Sequence, residues 1–499
     1  MKRRRWQSLD GEWSVNGQPG RVPACRREEK LVYEKEFSYL KQNDRVLLHF
    51  GAADAIAEVW LNGKVLGRHV GGYLPFSFDV TESIKEKNLL RVEVTDTLDH
   101  TYPYGKQRKD RGGMWYTPAS GLWKSVWLED VPETYISGIR ITPDRKGVTL
   151  AISISSSAGT VTERERVEVE NPELWTPDNP KLYTHTVRRG ADEVEIYFAL
   201  RTVEIGEVNG ISRVLLNGEP IFLHGVLDQG YFPEGNYTPE DSAEYERDVR
   251  RVKELGLNLI RKHIKIEPEE FYYACDRLGV LVMQDMVNSG DYRFFRDTVL
   301  GTLGLPLRDT KKTTDARMEF FVDHCRETVR ELYNHPSIIA YTIFNEGWGQ
   351  FESDRLYDTL KALDGTRLYD STSGWFAQEK SDFDSEHIYF RLKKLRPGKR
   401  PLLVSECGGY SYDLYDRNRT YGYGKCRSRE ELTDRIERLY NKMILPAIPL
   451  GCCGCIYTQF SDVEDEINGF YSYDRSICKP DKERLRAIAA RLKTEMKSR

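Results

Sequence analysis

The sequence predicts a multidomain protein of the β plus α/β class. An N-terminal jelly-roll β-sandwich is followed by a short immunoglobulin-like β-sandwich and a C-terminal (β/α)8 TIM barrel. The 499-residue chain is too long for one ordinary hydrophobic core. Alternating and β-branched runs separated by turn residues fill the first 205 residues. From residue 206 onward strand-like runs alternate with helical ones, which is typical of a βα barrel.

Residues 1–133 are predicted to form the jelly roll. Its strongest local signal is Asn62-Gly63 in VWLNGKVLG, a pair that favours a tight β-hairpin turn. Residues 134–205 contain further β-like runs, such as GVTLAISIS and EVEIYFALRTVEI. About 70 residues is short against the ~100 of an immunoglobulin-like sandwich, so this domain is predicted to lack part of its strands.

Residues 206–499 are predicted to form the barrel. The fifth and sixth helices must be short or replaced by loops, because little sequence separates the strands on either side of them. The eight strand candidates, in order, are IFLHGV, LNLIRKH, VLVMQDM, IIAYTIFNE, RLYDSTS, EHIYF, PLLVSE and CGCIYTQF.

Composition excludes several classes of partner. The formal net charge of −4 gives no reason to expect a nucleic acid, and no run approaches the ~18 apolar residues of a membrane span. Nine cysteines without framework spacing favour reduced thiols and a cytoplasmic protein. The run CCGC, Cys452–Cys455, lies in a predicted strand and is expected to pack rather than to bind zinc. We therefore expect no metal and no cofactor, and homo-oligomerisation is left open.

Two glutamates stand where predicted barrel strands end. Glu346 ends the apolar run IIAYTIFNE, and Glu406 ends PLLVSE. Catalytic groups of such barrels lie at the C-terminal ends of the strands, so both carboxylates are expected in the barrel mouth. Glycoside hydrolysis needs two opposed carboxylates: one protonates the leaving oxygen, and the other attacks, or activates water at, the anomeric carbon.

Two aspartates, Asp285 in LVMQDM and Asp462 in YTQFSD, also lie near strand ends and are candidates for binding sugar hydroxyls. The alternative for all four acids is that they are rim carboxylates with structural partners. Glycines beside Glu346 and Glu406, with aromatic residues nearby, favour a functional role.

At this point the sequence resembles glycoside hydrolase family 2, the family of β-galactosidases, β-glucuronidases and β-mannosidases. The family's acid/base segment is similar to HPSIIAYTIFNEGWGQF, its nucleophile segment to LLVSECGGY, and a third barrel segment to NLIRKH. Its N-terminal sugar-binding domain is similar to LDGEW, VWLNGKVLG and YTPASGLWKSVWLE, and its middle sandwich to VENPELWTPDNPKLY. The resemblance covers nearly the whole chain, in the family's domain order.

The resemblance implies roles for individual residues. Glu346 would be the general acid/base and Glu406 the nucleophile. Asn345 would bind the sugar 2-hydroxyl, Arg261 would keep Glu406 ionised, and Tyr389 would donate a hydrogen bond to Glu406. The further candidates for substrate binding are His387, with a satisfied structural histidine as its alternative, and the sugar platforms Trp348 and Trp375, with packing as theirs.

The implied activity is that of an exo-acting, retaining β-glycosidase with a carbohydrate substrate, most simply a β-galactoside. β-Glucuronides and β-mannosides are alternatives, as is a catalytically silent carbohydrate-binding protein. Thr458-Gln459 stands where many relatives carry a tryptophan, so that pocket wall is expected to differ. The Asn-x-Lys motif of glucuronate recognition is absent from the barrel sequence, although Lys262 and Lys265 remain candidates for meeting a carboxylate.

Overall fold

The computed structural model describes residues 1–301, 303, 309, 313–389, 391–417 and 419–497. Along the chain it contains two β-sandwich regions followed by a parallel barrel. The predicted fold class is confirmed.

The first sandwich consists of two facing antiparallel sheets, with strand orders β1-β10-β5-β8 and β3-β2-β4-β9-β6-β7. The predicted Asn62-Gly63 turn joins β6 to β7, and both residues have the positive φ that a tight hairpin turn requires. The strands are β1 (Trp6–Ser8), β2 (Gly11–Val15), β3 (Gln18–Val22), β4 (Lys30–Ser38), β5 (Arg45–Phe50), β6 (Ile56–Leu61), β7 (Lys64–Val70), β8 (Phe76–Asp79), β9 (Lys87–Thr95) and β10 (Val126–Val131).

The second sandwich is short, as predicted. A three-stranded sheet, β11-β12-β13, faces the two-stranded sheet β14-β15 across a core of Ile, Val and Leu side chains. A further small sheet, β16-β17-β18, leads into the barrel. The strands are β11 (Tyr135–Pro143), β12 (Gly147–Ser156), β13 (Gly159–Glu168), β14 (Tyr183–Arg189), β15 (Asp192–Phe198), β16 (Val203–Val208), β17 (Ile211–Leu216) and β18 (Glu219–Pro220).

The barrel has eight parallel strands in the order β23-β22-β21-β20-β19-β28-β25-β24, each matching a predicted run. Hydrogen-bonded pairing is continuous except between β23 and β24. The strands are β19 (Leu223–Asp228), β20 (Leu259–Lys262), β21 (Leu281–Asp285), β22 (Ile338–Asn345), β23 (Leu368–Ser373), β24 (Asp384–Ile388), β25 (Leu402–Gly408) and β28 (Cys452–Thr458); β26 (Tyr410–Tyr412) and β27 (Tyr423–Cys426) form a small separate sheet.

The barrel helices begin and end at recognisable signals. The Thr314 side chain accepts from Arg317 N at the start of α3, and the Ser428 side chain accepts from Glu431 N at the start of α5. In the part of the chain that the structure describes, no helix joins β23 to β24 or β24 to β25, as expected. The helices are α1 (Ala243–Glu254), α2 (Glu269–Leu278), α3 (Asp315–Glu331), α4 (Ser353–Leu363), α5 (Arg429–Leu439), which continues as a π-helical turn (Tyr440–Ile444), and α6 (Lys482–Lys497).

Burial explains why β22 is almost entirely apolar before Asn345, with Thr342 as the exception. All eight of its residues are buried, because a parallel barrel strand is covered by helices outside and by other strands' side chains inside. Asn345 and Glu346 follow where the strand reaches the barrel mouth. The CCGC run is likewise buried within β28, and all nine cysteines are free thiols. Among the described helices, none has the length and apolar character needed to cross a membrane.

Candidate active site

Glu346 and Glu406 lie together in the barrel mouth. Glu346 directly follows β22, and Glu406 lies within β25. One carboxylate oxygen of each lies within 4.8 Å of the other. The side chain of Glu346 is 14% exposed and that of Glu406 only 5%, so the two acids have different environments. The position of both residues at the ends of predicted barrel strands was enough to predict that they lie close together.

Arg261, on β20, binds three of the predicted site residues at once. Its Nη1 donates to Glu406 Oε1 at 3.0 Å, its Nε to Asp285 Oδ1 at 2.9 Å and its Nη2 to Asn345 Oδ1 at 2.8 Å. The guanidinium is fully buried. Because arginine can only donate, it orients the Asn345 amide with its oxygen toward the core and leaves the NH2 group available to a ligand.

The charges around Glu406 hold it ionised. Burial alone would raise its pKa, but His387, Arg261 and His263 outweigh that effect and hold the pKa at about 2. Tyr389, which follows β24, donates a hydrogen bond to Glu406 Oε2, the contact that the resemblance implies. A carboxylate kept charged in a buried pocket has the properties of a nucleophile.

His387, on β24, lies between the two glutamates. Its Nδ1 is 2.8 Å from Glu346 Oε1, and its Nε2 is 3.5 Å from Glu406 Oε1 and 3.0 Å from Ser373 Oγ. The side chain is fully buried. The structure thus places His387 behind the two carboxylates rather than on the pocket surface.

The two candidate platforms differ. Trp348 is 2% exposed, donates from Nε1 to Gly290 O at 2.8 Å, and packs edge-on against Trp115 and Tyr104. A stacking platform needs an open ring face, so this arrangement supports the packing alternative for Trp348. Trp375 is half-buried beside His387, with ring centroids 5.4 Å apart, and stays a candidate.

Other acids and lysines turn out to have internal partners. Asp285 is 1% exposed and is bound by Arg261 and His263, so its predicted contact with sugar hydroxyls is not supported. Asp462 accepts from Lys479 Nζ at 2.6 Å. The two lysines considered for a substrate carboxylate are also paired: Lys262 with Asp228 and Glu267, and Lys265 with Glu267.

A polar wall that sequence reasoning missed lies beyond β28. Glu466 accepts from the phenol of Tyr116, which belongs to the first sandwich, and from Asn468 Nδ2 at 3.0 Å. Gln459 is fully buried in the same place. The only sequence signal was the departure at Thr458-Gln459, because a polar loop after a strand looks like an exposed turn until another domain is seen to cover it.

The two glutamates and His387 also satisfy the donor requirements of a metal site. They offer one ligand atom each, and these atoms lie within 4.8 Å of one another. Carboxylate and imidazole are ligands that Zn²⁺ accepts. The same groups are engaged by Arg261, Tyr389 and each other, so the arrangement is explained without an ion. The expectation of no metal stays a prediction.

Three family models match the chain in succession. The glycosyl hydrolase 2 galactose-binding domain-like model matches residues 23–122, the glycosyl hydrolases family 2 model matches 134–201, and the family 2 TIM barrel model matches 207–396. Together they cover most of the chain in the order that the fold shows.

Relatives and solved structures agree with these matches. The chain is 28% identical to a beta-galactosidase of Thermoanaerobacter pseudethanolicus over 51% of this chain and 39% of the relative, and 27% identical to a beta-glucuronidase of Pongo abelii over 65% and 55%. It therefore spans about half or less of these relatives' lengths. A beta-D-glucuronidase structure from Dictyoglomus thermophilum superposes with a TM-score of 0.78 at 18% identity, covering 99% of this chain and 98% of the other. The matched models, with the fold, show that the chain belongs to glycoside hydrolase family 2.

Proposed function

We propose that the chain is an exo-acting β-glycosidase that retains anomeric configuration through double displacement. The observation that carries this is the placement of Glu346 and Glu406, with carboxylate oxygens within 4.8 Å of each other. Retaining enzymes hold their carboxyl groups about 5–5.5 Å apart, whereas inverting enzymes leave about 6.5–9.5 Å for a water molecule. The spacing here favours direct attack by one carboxylate.

The two half-reactions follow from the environments of the acids. Glu406, ionised beside Arg261, attacks the anomeric carbon while Glu346 gives a proton to the leaving oxygen, and a covalent glycosyl-enzyme forms. Glu346 then removes a proton from water, which attacks the same carbon and releases Glu406. The amide of Asn345, oriented by Arg261, is placed to donate to the sugar 2-hydroxyl.

Within this activity we propose β-galactosides as the substrates. Lys262 and Lys265 are both buried in internal ion pairs, so neither is free to meet a sugar carboxylate. If the glycone is an uncharged sugar, the polar wall around Glu466 is available to hydrogen-bond its hydroxyl groups.

A β-glucuronide is the second candidate, and one residue favours it. Lys106 lies in the loop of the first sandwich that reaches the barrel, where its backbone carbonyl accepts from Tyr116 N at 2.9 Å. Burial raises the pKa of Glu466 and lowers that of His263; the charge of Lys106 opposes the first shift and adds to the second, which places it near the pocket. Among the described residues its ammonium has no hydrogen bond or ion pair, which leaves it able to bind a carboxylate.

A panel of nitrophenyl β-glycosides separates these candidates. Galactoside, glucuronide, mannoside and glucoside are compared by kcat/KM, in the wild type and in Lys106→Met. If glucuronides are the substrates, Lys106→Met should lower their kcat/KM by about tenfold or more, since a charge-assisted hydrogen bond contributes about 1.5–3 kcal/mol. The control Lys109→Met removes an exposed lysine of the same loop. Release of nitrophenol from none of the glycosides would indicate a silent binding protein.

Stereochemistry tests the mechanism separately. Proton NMR of the first-formed sugar should show the β-anomer before mutarotation. An α-anomer as the first product would remove Glu406 from the role of nucleophile.

A further inference from the structure

His387 is surrounded by oxygen atoms on both of its nitrogens. Nδ1 faces Glu346 Oε1 at 2.8 Å; Nε2 faces Ser373 Oγ at 3.0 Å and Glu406 Oε1 at 3.5 Å. Ser373 uses its own hydrogen to donate to Ser405 Oγ at 2.9 Å, so its oxygen is an acceptor toward His387. Both ring nitrogens therefore face acceptors.

A neutral imidazole can satisfy both sides only if it accepts the acid proton of Glu346 at Nδ1, where that proton cannot reach a leaving oxygen. It carries a single N–H, whereas the imidazolium carries two and can donate in both directions. The ring is fully buried between the two glutamates, where water cannot substitute for a missing donor. A positive charge there is attracted by whichever of the two glutamates is ionised, and more strongly than it would be in water.

We propose that His387 is a fixed imidazolium that compensates the negative charge of Glu406 in the free enzyme and of Glu346 in the glycosyl-enzyme. The inference rests on the proposed double displacement. It assigns His387 the task of a positioning residue, since it acts through the two glutamates and not on the sugar.

The charges balance in each half of the cycle. In the free enzyme Glu406 is an anion, Glu346 carries the acid proton, and Nε2–H of His387 points toward Glu406. When the Glu406–sugar bond forms and the bond to the aglycone breaks, the proton of Glu346 leaves with the aglycone oxygen. Glu406 is then a neutral ester, Glu346 is the anion, and it accepts from Nδ1–H.

Water reverses these changes in the second half. It gives one proton to Glu346, its oxygen bonds to the anomeric carbon, and the bond to Glu406 returns its electron pair to the carboxylate. The sum of the three charges is zero in both states, and no heavy atom must move to keep it so. Developing charge is stabilised best by groups already in place.

The other charged groups nearby are not placed to compensate the charges of both glutamates. Arg261 donates to Glu406 and, among the described residues, has no hydrogen bond or ion pair with Glu346. Asp370 accepts from Ser385 Oγ at 2.7 Å. His387 lies within 3.5 Å of both glutamates. The charged groups around the pair are Arg261 on β20, His263 after it, Asp285 on β21, Asp370 on β23, and the glutamates themselves on β25 and after β22.

The direct test is nitrogen NMR on wild-type enzyme labelled with ¹⁵N-histidine. The resonance of His387, assigned by its loss in His387→Gln, should have the shifts of an imidazolium in the free enzyme. It should keep them in a 2-deoxy-2-fluoroglycosyl-enzyme trapped on Glu406. A neutral imidazole in either state would overturn the proposal. The free-enzyme spectrum is informative even if no sugar can be trapped, an outcome that would instead contradict the double displacement.

The pH profile of kcat/KM gives a second readout. His387→Gln keeps a hydrogen-bonding side chain but no charge, so the acid limb that reports Glu406 ionisation should move up by about one pH unit or more. Ser373→Ala is the matched control: it removes the hydroxyl at Nε2 and keeps the cation, so that limb should stay within a few tenths of a unit of the wild type. A lower rate with an unmoved acid limb in His387→Gln would show a merely structural role.

Discussion

Tyr116, in a loop of the first sandwich, donates a hydrogen bond from its phenol to the carboxylate of Glu466, in the loop that follows the last barrel strand. Burial raises the pKa of Glu466, while the charge of Lys106 from the same sandwich loop opposes the rise. The pKa of Tyr423 is raised by burial and by the charges of both Glu346 and Glu466, so the wall lies close to Glu346 and Glu406. Two domains therefore build the pocket together.

Breaking this contact should show coupling between the domains. Tyr116→Phe leaves the buried carboxylate of Glu466 with one hydrogen-bond donor fewer. An unsatisfied buried acceptor raises the free energy of the folded protein by about 1–3 kcal/mol. Glu466→Gln removes the charge, and the double variant should lose less than the sum of the two single variants. The quantity to measure is kcat/KM for the best nitrophenyl glycoside. Strict additivity would mean that the two side chains act independently.

Replacing Glu346 and replacing Glu406 should impair activity in different ways. Glu346→Ala removes only proton transfer, typically worth about 10²–10⁴-fold, so a dinitrophenyl glycoside should give a burst followed by slow turnover. Azide needs no deprotonation, and it should restore turnover and give the β-glycosyl azide.

Glu406→Ala lacks the attacking atom and serves as the counterpart. Azide can replace the carboxylate there only by direct attack, so the product should be the α-azide. NMR of the azide product assigns each role. An α-azide from Glu346→Ala would contradict the assignment made here.

The acid limb of the pH profile should depend on Arg261. The nearby charges of His387, Arg261 and His263 hold the pKa of Glu406 at about 2 despite its burial. The proposed nucleophile is therefore ionised throughout the usual pH range, and its charge is lost only as pH falls through that value. Arg261→Gln removes an opposite charge 3.0 Å away, and the limb should rise by about 1–3 pH units. Arg261→Lys keeps the charge and should shift it less. Equal shifts in both variants would mean that geometry, not charge, sets the limb.

His335 should make stability depend on alkaline pH. Burial lowers its proton affinity, but the carboxylates of Glu269 and Asp276 outweigh this and raise its pKa to about 10. Glu269 is 62% exposed and therefore screened, so the buried Asp276, 2.7 Å away, carries most of the effect. A raised pKa stabilises the fold fully below the unfolded value of about 6.5, and this stability is lost as pH rises toward 10.

Replacing this histidine tests the effect. His335→Asn should lower the free energy of unfolding by about 3 kcal/mol at pH 6, as expected for a broken buried pair, and the loss should shrink toward pH 10. Denaturant unfolding at several pH values measures it. The exposed pair of Arg326 and Asp323 is the control, because Arg326→Ala should change stability by well under 1 kcal/mol at any pH. A loss in His335→Asn that does not vary with pH would contradict the ion pair.

Sequence by itself determined the class of fold and the principal acids. An apolar run such as that of β22 identifies a strand buried on both faces, and in a barrel its polar end must lie at the mouth. That reasoning placed Glu346 and Glu406 together. The alternation of strand-like and helical runs predicted the eight strands, and the short segments on either side of β24 predicted the lack of helices there among the described residues.

Only the tertiary structure decided which of the neighbouring polar side chains border the pocket and which are held in internal contacts. Asp285 and Glu406 both end or lie near the ends of strands, yet Asp285 is tied to Arg261 and His263 while Glu406 borders the pocket. Trp348 is packed beneath aromatic residues of the first sandwich, and Glu466 is met by Tyr116 from the same domain. The contacts of Trp348 and Glu466 join residues hundreds of positions apart. Periodicity along one strand carries no information about which residues of another domain pack against it.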